Sequence, residues 1–149
     1  MTDSPDSLPS AGVLRRLGAM FYDLLLVIAV MMVVTAVLLP LTGGEAITNE
    51  RLGAWEYAYR LLLLAIVILF FGMFWTRRGQ TLGMQAWRLR IQREDGGQLG
   101  WLDVFKRLGA ATVSLCLAGI GYWWIWIDRD RLAWPDRWTR TRVVVLPKR

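Results

Sequence analysis

Three charged side chains, Arg16, Asp23 and Asp136, have sequence surroundings that could give them special chemistry. Asp23 follows Arg16 by about two helical turns and directly precedes residues 24–42, a run without any charge. A carboxylate in a membrane-spanning helix is costly, so it faces a protein interior or a water-filled cavity and marks a functional or structural group. Asp23 is therefore either a cation or proton ligand, or half of a structural ion pair. A long Arg16 side chain, or a base from the second connection at residues 76–107, would supply the other half.

The chain lacks the residues that several other kinds of functional site require. The chain has no His and a single Cys, Cys116, which excludes an internal disulfide and a Ser/His/Asp triad and argues against a Cys/His metal centre. The stretch GQTLGM at residues 79–84 lacks the Walker glycine pattern and its Lys, so it is not a phosphate loop. We predict no enzyme, cofactor or metal. The motif residues Gly79, Gln80, Thr81 and Gly83 are interpreted as a tight turn after a helix.

The composition places these charges in a membrane protein. Of the 149 residues, 55% are hydrophobic and nine are Trp, while the net charge is +6. The basic residues lie between the apolar runs, which favours anionic lipid headgroups over nucleic acid as their partner.

Three apolar runs are candidates for crossing the bilayer. The first, residues 15–39, and the second, residues 57–75, predict transmembrane helices. The third, residues 108–127, is long enough to cross, but Ala118-Gly119-Ile120-Gly121 interrupts it and Trp residues crowd its far half. It could span or re-enter.

Two strand-like runs, residues 87–93 and 141–146, flank this third segment in the sequence. An isolated strand leaves its backbone groups unpaired, so the two runs must pair on one side of the membrane. A re-entrant third segment would put sixteen Lys and Arg on one side and two on the other, whereas three full spans would divide them evenly. The fold predicted is mainly α: two transmembrane helices, a third apolar re-entrant or spanning helix, and a small two-stranded β element. Full spanning by the third segment stays open.

The sequence resembles the RDD family of small bacterial integral membrane proteins, named for one arginine and two aspartates. The resemblance runs from about residue 12 to residue 145 and is carried by RRLGAMFYD, RRGQTLGM, WRLRIQREDGG and PDRWTRTRVVV. It implies that Arg16 is the family's arginine, Asp23 its first aspartate and Asp136 its second. It also implies a multi-pass protein of the bacterial inner membrane, with transport of an unidentified solute suggested as its role.

These observations define the expected organisation and leave two functions open. We expect a disordered tail at residues 1–12, one membrane domain at residues 13–146, a short end at residues 147–149, and both termini in the cytoplasm. A buried Arg/Asp constellation could serve transport of a cation, a proton or another solute. Alternatively, the same charges hold together a membrane scaffold or accessory protein. In either case we expect the bilayer, anionic headgroups and a second copy or a membrane protein as partners.

Overall fold

The computed structural model describes residues 8–42, 53–95 and 97–147. Two long helices dominate it, α1 at Val13–Leu38 and α2 at Ala54–Arg78, and a 3-10 turn at Leu39–Thr42 continues α1. The apolar stretches Val13–Leu41 and Trp55–Arg78 are long and apolar enough to cross a membrane. Most of their large side chains, Leu24, Val33 and Leu64 among them, are exposed, as expected of a lipid-facing surface.

In the described part of the chain, six shorter elements follow α2 and position the charged residues. They are α3 at Leu82–Ala86, β1 at Leu89–Arg93, α4 at Trp101–Cys116, α5 at Ile120–Trp123, α6 at Trp134–Thr139 and β2 at Thr141–Val145, with a 3-10 turn at Trp124–Trp126. The structure therefore has the predicted mainly helical membrane fold with a small two-stranded sheet.

The third apolar segment is broken where the glycine-rich stretch predicted a break. Helix α4 and the helical stretch Ile120–Trp126 meet at an angle of 104°. Ala118 and Gly119 both adopt positive φ, 54° and 77°, and so turn the chain out of α4. This bend separates two pieces that are each too short to cross a bilayer.

The two strands pair antiparallel, from Leu89 opposite Val145 to Arg93 opposite Thr141. The predicted pairing is confirmed, with slightly shorter strands than the sequence pattern suggested. The strand β1 precedes the bent segment and β2 follows it. Because the two strands pair, the chain enters the bent segment from the sheet and comes back to the sheet after it. The bent segment thus has the geometry of a re-entrant element.

The residues before α1 differ from the disordered tail expected for residues 1–12. Ser10 forms a bridge with Val144, and the Ala11 N–H donates to the Val143 carbonyl oxygen at 2.8 Å. Ala11 is fully buried. Small side chains here let the backbone lie directly against β2, which local composition does not reveal. Residues 1–7 lie outside the described residues.

A compact core forms where the sheet meets the first half of α1 and the end of α2. It contains Ala19 of α1, Trp75 of α2, Met84 of α3, Leu89 of β1 and Val104 of α4. Because these five elements meet here, side chains far apart in the sequence converge on one small volume.

Candidate functional site

Arg16 and Asp136 form a buried ion pair across 120 positions of sequence. The Arg16 Nη1 donates to Asp136 Oδ2, and Arg16 Nε donates to the Ala11 carbonyl oxygen at 3.0 Å. Arg16 is 5% exposed and Asp136 is fully buried. The pair joins the start of α1 to α6, and the Ala11 bond ties the segment before α1 to the same arginine.

Arg107 of α4 is the second arginine on the same carboxylate. Its Nη2 lies 3.0 Å from Asp136 Oδ1, and its Nη1 donates to the hydroxyl oxygen of Thr141. Its guanidinium carbon lies 5.4 Å from the centroid of the Trp75 ring, within the range of a cation–π contact. Arg107 thereby links α4, α2, α6 and β2.

Asp136 also completes the first turn of α6. Its Oδ2 accepts from the Ala133 N–H at 3.2 Å, and Pro135 occupies the start of the helix, where a missing N–H is tolerated. Burial raises the pKa of Asp136, but the charges of Arg16 and Arg107 outweigh it and hold that pKa below its ordinary value. Asp136 is therefore held as a carboxylate.

Asp23 has different partners from those considered in the sequence. Its Oδ1 accepts from the backbone N–H of Gly83 at 2.9 Å, and its Oδ2 accepts from the Thr81 hydroxyl. Asp23 is 3% exposed and makes no ion pair with any residue in the described ranges. The expected base from the second connection is thus replaced by neutral donors of that same connection.

The motif GQTLGM does more than turn the chain after α2. Gly79 has φ 65° and ends α2, and the Gln80 amide donates to the Leu89 carbonyl oxygen at 2.7 Å. The Thr81 hydroxyl also accepts from the Met84 N–H and so caps α3, a short helix that the sequence pattern did not predict. Gly83 lies inside this helix, rather than in the turn.

Gly83 allows α3 to approach α1 closely. A Cβ atom at this position would meet the backbone of Ala19 and lie 2.8 Å from the Asp23 carboxyl carbon. Any larger residue would therefore push α3 away from α1 and lengthen the hydrogen bond from Gly83 to Asp23.

A cavity of ≈ 80 Å³ lies beside Asp23 and beside Arg16 and Arg107, the two arginines that contact Asp136. Its lining includes Arg16, Asp23, Trp75, Arg107 and Tyr122, among apolar side chains from α1, α2, α3 and the sheet. Buried Arg16 Nη2, Arg107 Nε and Trp75 Nε1 have no hydrogen-bond partner among the described residues. Because a water needs about 10–15 Å³ of such space and two to four polar partners, the cavity has room for water next to these unpaired nitrogen atoms.

The structure brings Arg16 and Asp136 into contact and places Asp23 on the wall of the same cavity. It adds Arg107, which the sequence analysis missed. A signal existed, since Arg107 lies about one helical turn before Ala110 and two turns before Ser114, two small residues on the buried face of α4. Within the described ranges, no three His, Cys, Asp or Glu residues are arranged to hold a metal ion.

These features define a class of protein: a helical membrane protein whose buried arginine and aspartate network joins its spanning helices to a small sheet. A model of the RDD family matches residues 10–140, so the chain belongs to the RDD family. No curated protein and no solved structure matches the chain.

Proposed function

We propose that this RDD-family protein is a multi-pass protein of the bacterial inner membrane that takes part in proton-coupled transport, with Asp23 as the proton-binding group. One observation carries the proposal. Asp23 lies in a helix that is long and apolar enough to span a membrane, borders a cavity, and has only neutral hydrogen-bond donors. A carboxylate without a countercharge is the kind of group that a proton neutralises at least cost.

The local charges support a proton over a metal cation. Arg16, Arg107 and Asp136 together carry one net positive charge next to the cavity, and this charge repels a metal cation. Hard metal cations prefer several oxygen ligands, whereas the lining named above offers mainly the Asp23 carboxylate and the Tyr122 hydroxyl. The second transported species is an unidentified cation or other solute.

A complete pathway needs more than one copy of this chain. Two spanning helices and a re-entrant element enclose little volume, and the cavity is only ≈ 80 Å³. Exposed apolar side chains such as Leu25, Val37 and Leu69 offer surface to lipid or to a second copy. A homo-oligomer, or assembly with another membrane protein, therefore belongs to the proposal.

The proposed orientation places both termini in the cytoplasm. The segment before α1 and the strand β2 are hydrogen-bonded to each other, so they lie on one side. That side carries sixteen of the Lys and Arg residues, and the positive-inside rule assigns it to the cytoplasm. Fusions of a periplasm-dependent reporter should be inactive after Arg149 and active within residues 43–52; the opposite pattern would overturn the orientation.

A second candidate is a non-transporting scaffold or accessory protein. It is favoured by the observation that both carboxylates hold short helices in place, Asp136 at α6 and Asp23 at α3. On this account every buried charge is structural, and neutralising Asp23 has no effect on flux beyond its effect on folding.

Reconstitution in liposomes separates the two candidates. With an imposed pH gradient and a trapped pH-sensitive dye, the parent protein should release protons when Na⁺, K⁺ or another trial cation is added, and protein-free vesicles should not. Absence of any coupled proton movement from folded, oriented protein over a panel of cations would favour the scaffold.

A further inference from the structure

A second pocket shares Trp75 and Ile91 with the cavity beside Asp23 but is otherwise lined by different residues. It measures ≈ 430 Å³, within the usual range of about 300–1,000 Å³ for small-molecule sites. We call it the basic pocket, since Arg77, Arg78 and Arg90 line it together with Gln98. It is separate from the cavity beside Asp23, and the inference below does not depend on proton binding there.

The walls of the basic pocket are joined by hydrogen bonds between the end of α2 and β1. The Ile91 N–H donates to the Gly79 carbonyl oxygen at 2.7 Å, and Arg90 Nε donates to the Arg78 carbonyl oxygen at 3.4 Å. Gly79 must remain a glycine here, because it has positive φ and because a Cβ would strike the backbone of Ile91. The arginines are therefore presented from a fixed backbone frame.

Among the described residues, no carboxylate compensates the charge of the basic pocket. No acidic residue occurs among the described residues that line it, and Arg77, Arg78 and Arg90 form no ion pair in the described part of the chain. Arg93, at the end of the same strand as Arg90, is instead paired with Asp95 and Asp103. Three guanidinium groups without carboxylate partners in one concave site are suited to bind a multivalent oxyanion.

The position of the basic pocket suggests the source of that anion. Arg77 and Arg78 lie in the last turn of the stretch Trp55–Arg78. At such a helix end, the chain leaves the hydrocarbon core and meets the headgroups. Trp75 and Leu99 supply an apolar edge next to the arginines. We propose that the basic pocket binds a phosphate group, either the phosphodiester of an anionic phospholipid or free phosphate.

Melting of the purified protein in neutral detergent micelles tests this proposal. The melting temperature is recorded against increasing phosphatidylglycerol, phosphatidylcholine or inorganic phosphate at constant ionic strength, because a ligand of the native state raises it. The variant is Arg78→Gln/Arg90→Gln. The charge-matched control is Lys106→Gln/Arg129→Gln, which removes two exposed bases that do not line the pocket.

The parent and the control should be stabilised by phosphatidylglycerol, by inorganic phosphate or by both, and not by phosphatidylcholine. The Arg78→Gln/Arg90→Gln protein should need about tenfold more ligand for the same shift. A response to phosphatidylglycerol alone identifies a lipid headgroup, and a response to inorganic phosphate identifies the free anion. The proposal is overturned if the parent is stabilised by neither anion, or if the pocket variant responds like the parent. It is also overturned if the control needs as much additional ligand as the pocket variant.

A single variant keeps the test valid if the double variant unfolds without ligand. Arg77 is exposed at the end of α2 and has no described ion-pair partner, so Arg77→Gln should fold normally. It should weaken the response to the active anion severalfold. An unchanged response of a stable Arg77→Gln protein would also overturn the proposal.

Discussion

Asp136 and Asp23 are two carboxylates with nearly equal burial and opposite surroundings. Asp136 is in contact with Arg16 and Arg107, whereas Asp23 accepts hydrogen bonds from the Thr81 hydroxyl and the Gly83 N–H. Both also position a short helix. The difference is that Asp136 has two countercharges and Asp23 has none among the described residues.

This difference separates a structural role from a functional one. Neutralising Asp136 would leave two arginines facing each other in a poorly solvated place, so its charge is fixed by the fold. The hydrogen-bond partners of Asp23 are neutral, and a protonated carboxyl group or an amide at this position can still bond to them. We therefore propose that the first carboxylate serves folding and that the second binds the proton.

Replacing Asp136 should have the largest effect on stability. Asp136→Asn removes the charge that compensates Arg16 and Arg107, and breaking one side of a buried pair typically costs about 3–5 kcal/mol. The free energy of unfolding in mixed micelles measures it. The control Asp130→Asn alters an exposed carboxylate on the same tail and should change little. Equal stability of Asp136→Asn and the parent would contradict the structural role of Asp136.

Acid should act on Asp136 in the same direction as the mutation. The pKa of Asp136 is lower in the folded state, so its contribution to stability is complete above its unfolded pKa of about 3.9 and is lost as the pH falls through the lower folded value. Melting temperature against pH should therefore fall more steeply below about pH 4 for the parent than for Asp136→Asn. Parallel curves for the two proteins would contradict the assignment.

Removing Arg107 should cost less than removing Asp136. Arg107→Gln leaves the one-to-one pair of Arg16 and Asp136, which is electrically balanced, and loses mainly the contacts to Thr141 and Trp75. A loss of about 1–3 kcal/mol is expected, and the exposed neighbour Lys106→Gln provides the control. The Arg107→Gln/Asp136→Asn double variant should lose less than the sum of the single losses. Simple additivity would mean that the two side chains do not interact.

The sequence predicted the elements better than the contacts between their charges. The spans follow from uncharged length, and the strand pairing from the need to satisfy two isolated runs. The Arg16–Asp136 link joins residues 120 positions apart, and no local pattern shows which arginine meets which aspartate. The sequence offered Arg16 or a base of the second connection as the partner of Asp23, whereas its partners in the structure are the Thr81 hydroxyl and the Gly83 N–H, which the short helix α3 positions. That helix is too short to show a periodic pattern.

Truncating Asp23 should have a moderate effect on stability. Asp23→Ala leaves the buried Gly83 N–H and Thr81 hydroxyl without their acceptor, and we expect a loss of about 1–3 kcal/mol. Asp23→Asn should cost less, because its amide oxygen can accept from Gly83 and its NH₂ can donate to Thr81. Unfolding of these two variants beside the parent measures the difference. A loss for Asp23→Asn as large as that for Asp136→Asn would indicate an unrecognised countercharge near Asp23.

The most direct test of the account is coupled proton flux through Asp23→Asn, measured in liposomes made from the same preparation used for unfolding. We expect this variant to keep most of the parent's stability and to lose coupled proton movement at every pH gradient and cation tested. Lys106→Gln, an exposed change of one charge, should retain flux. A folded Asp23→Asn protein that moves protons as fast as the parent would contradict the assignment of proton binding to Asp23.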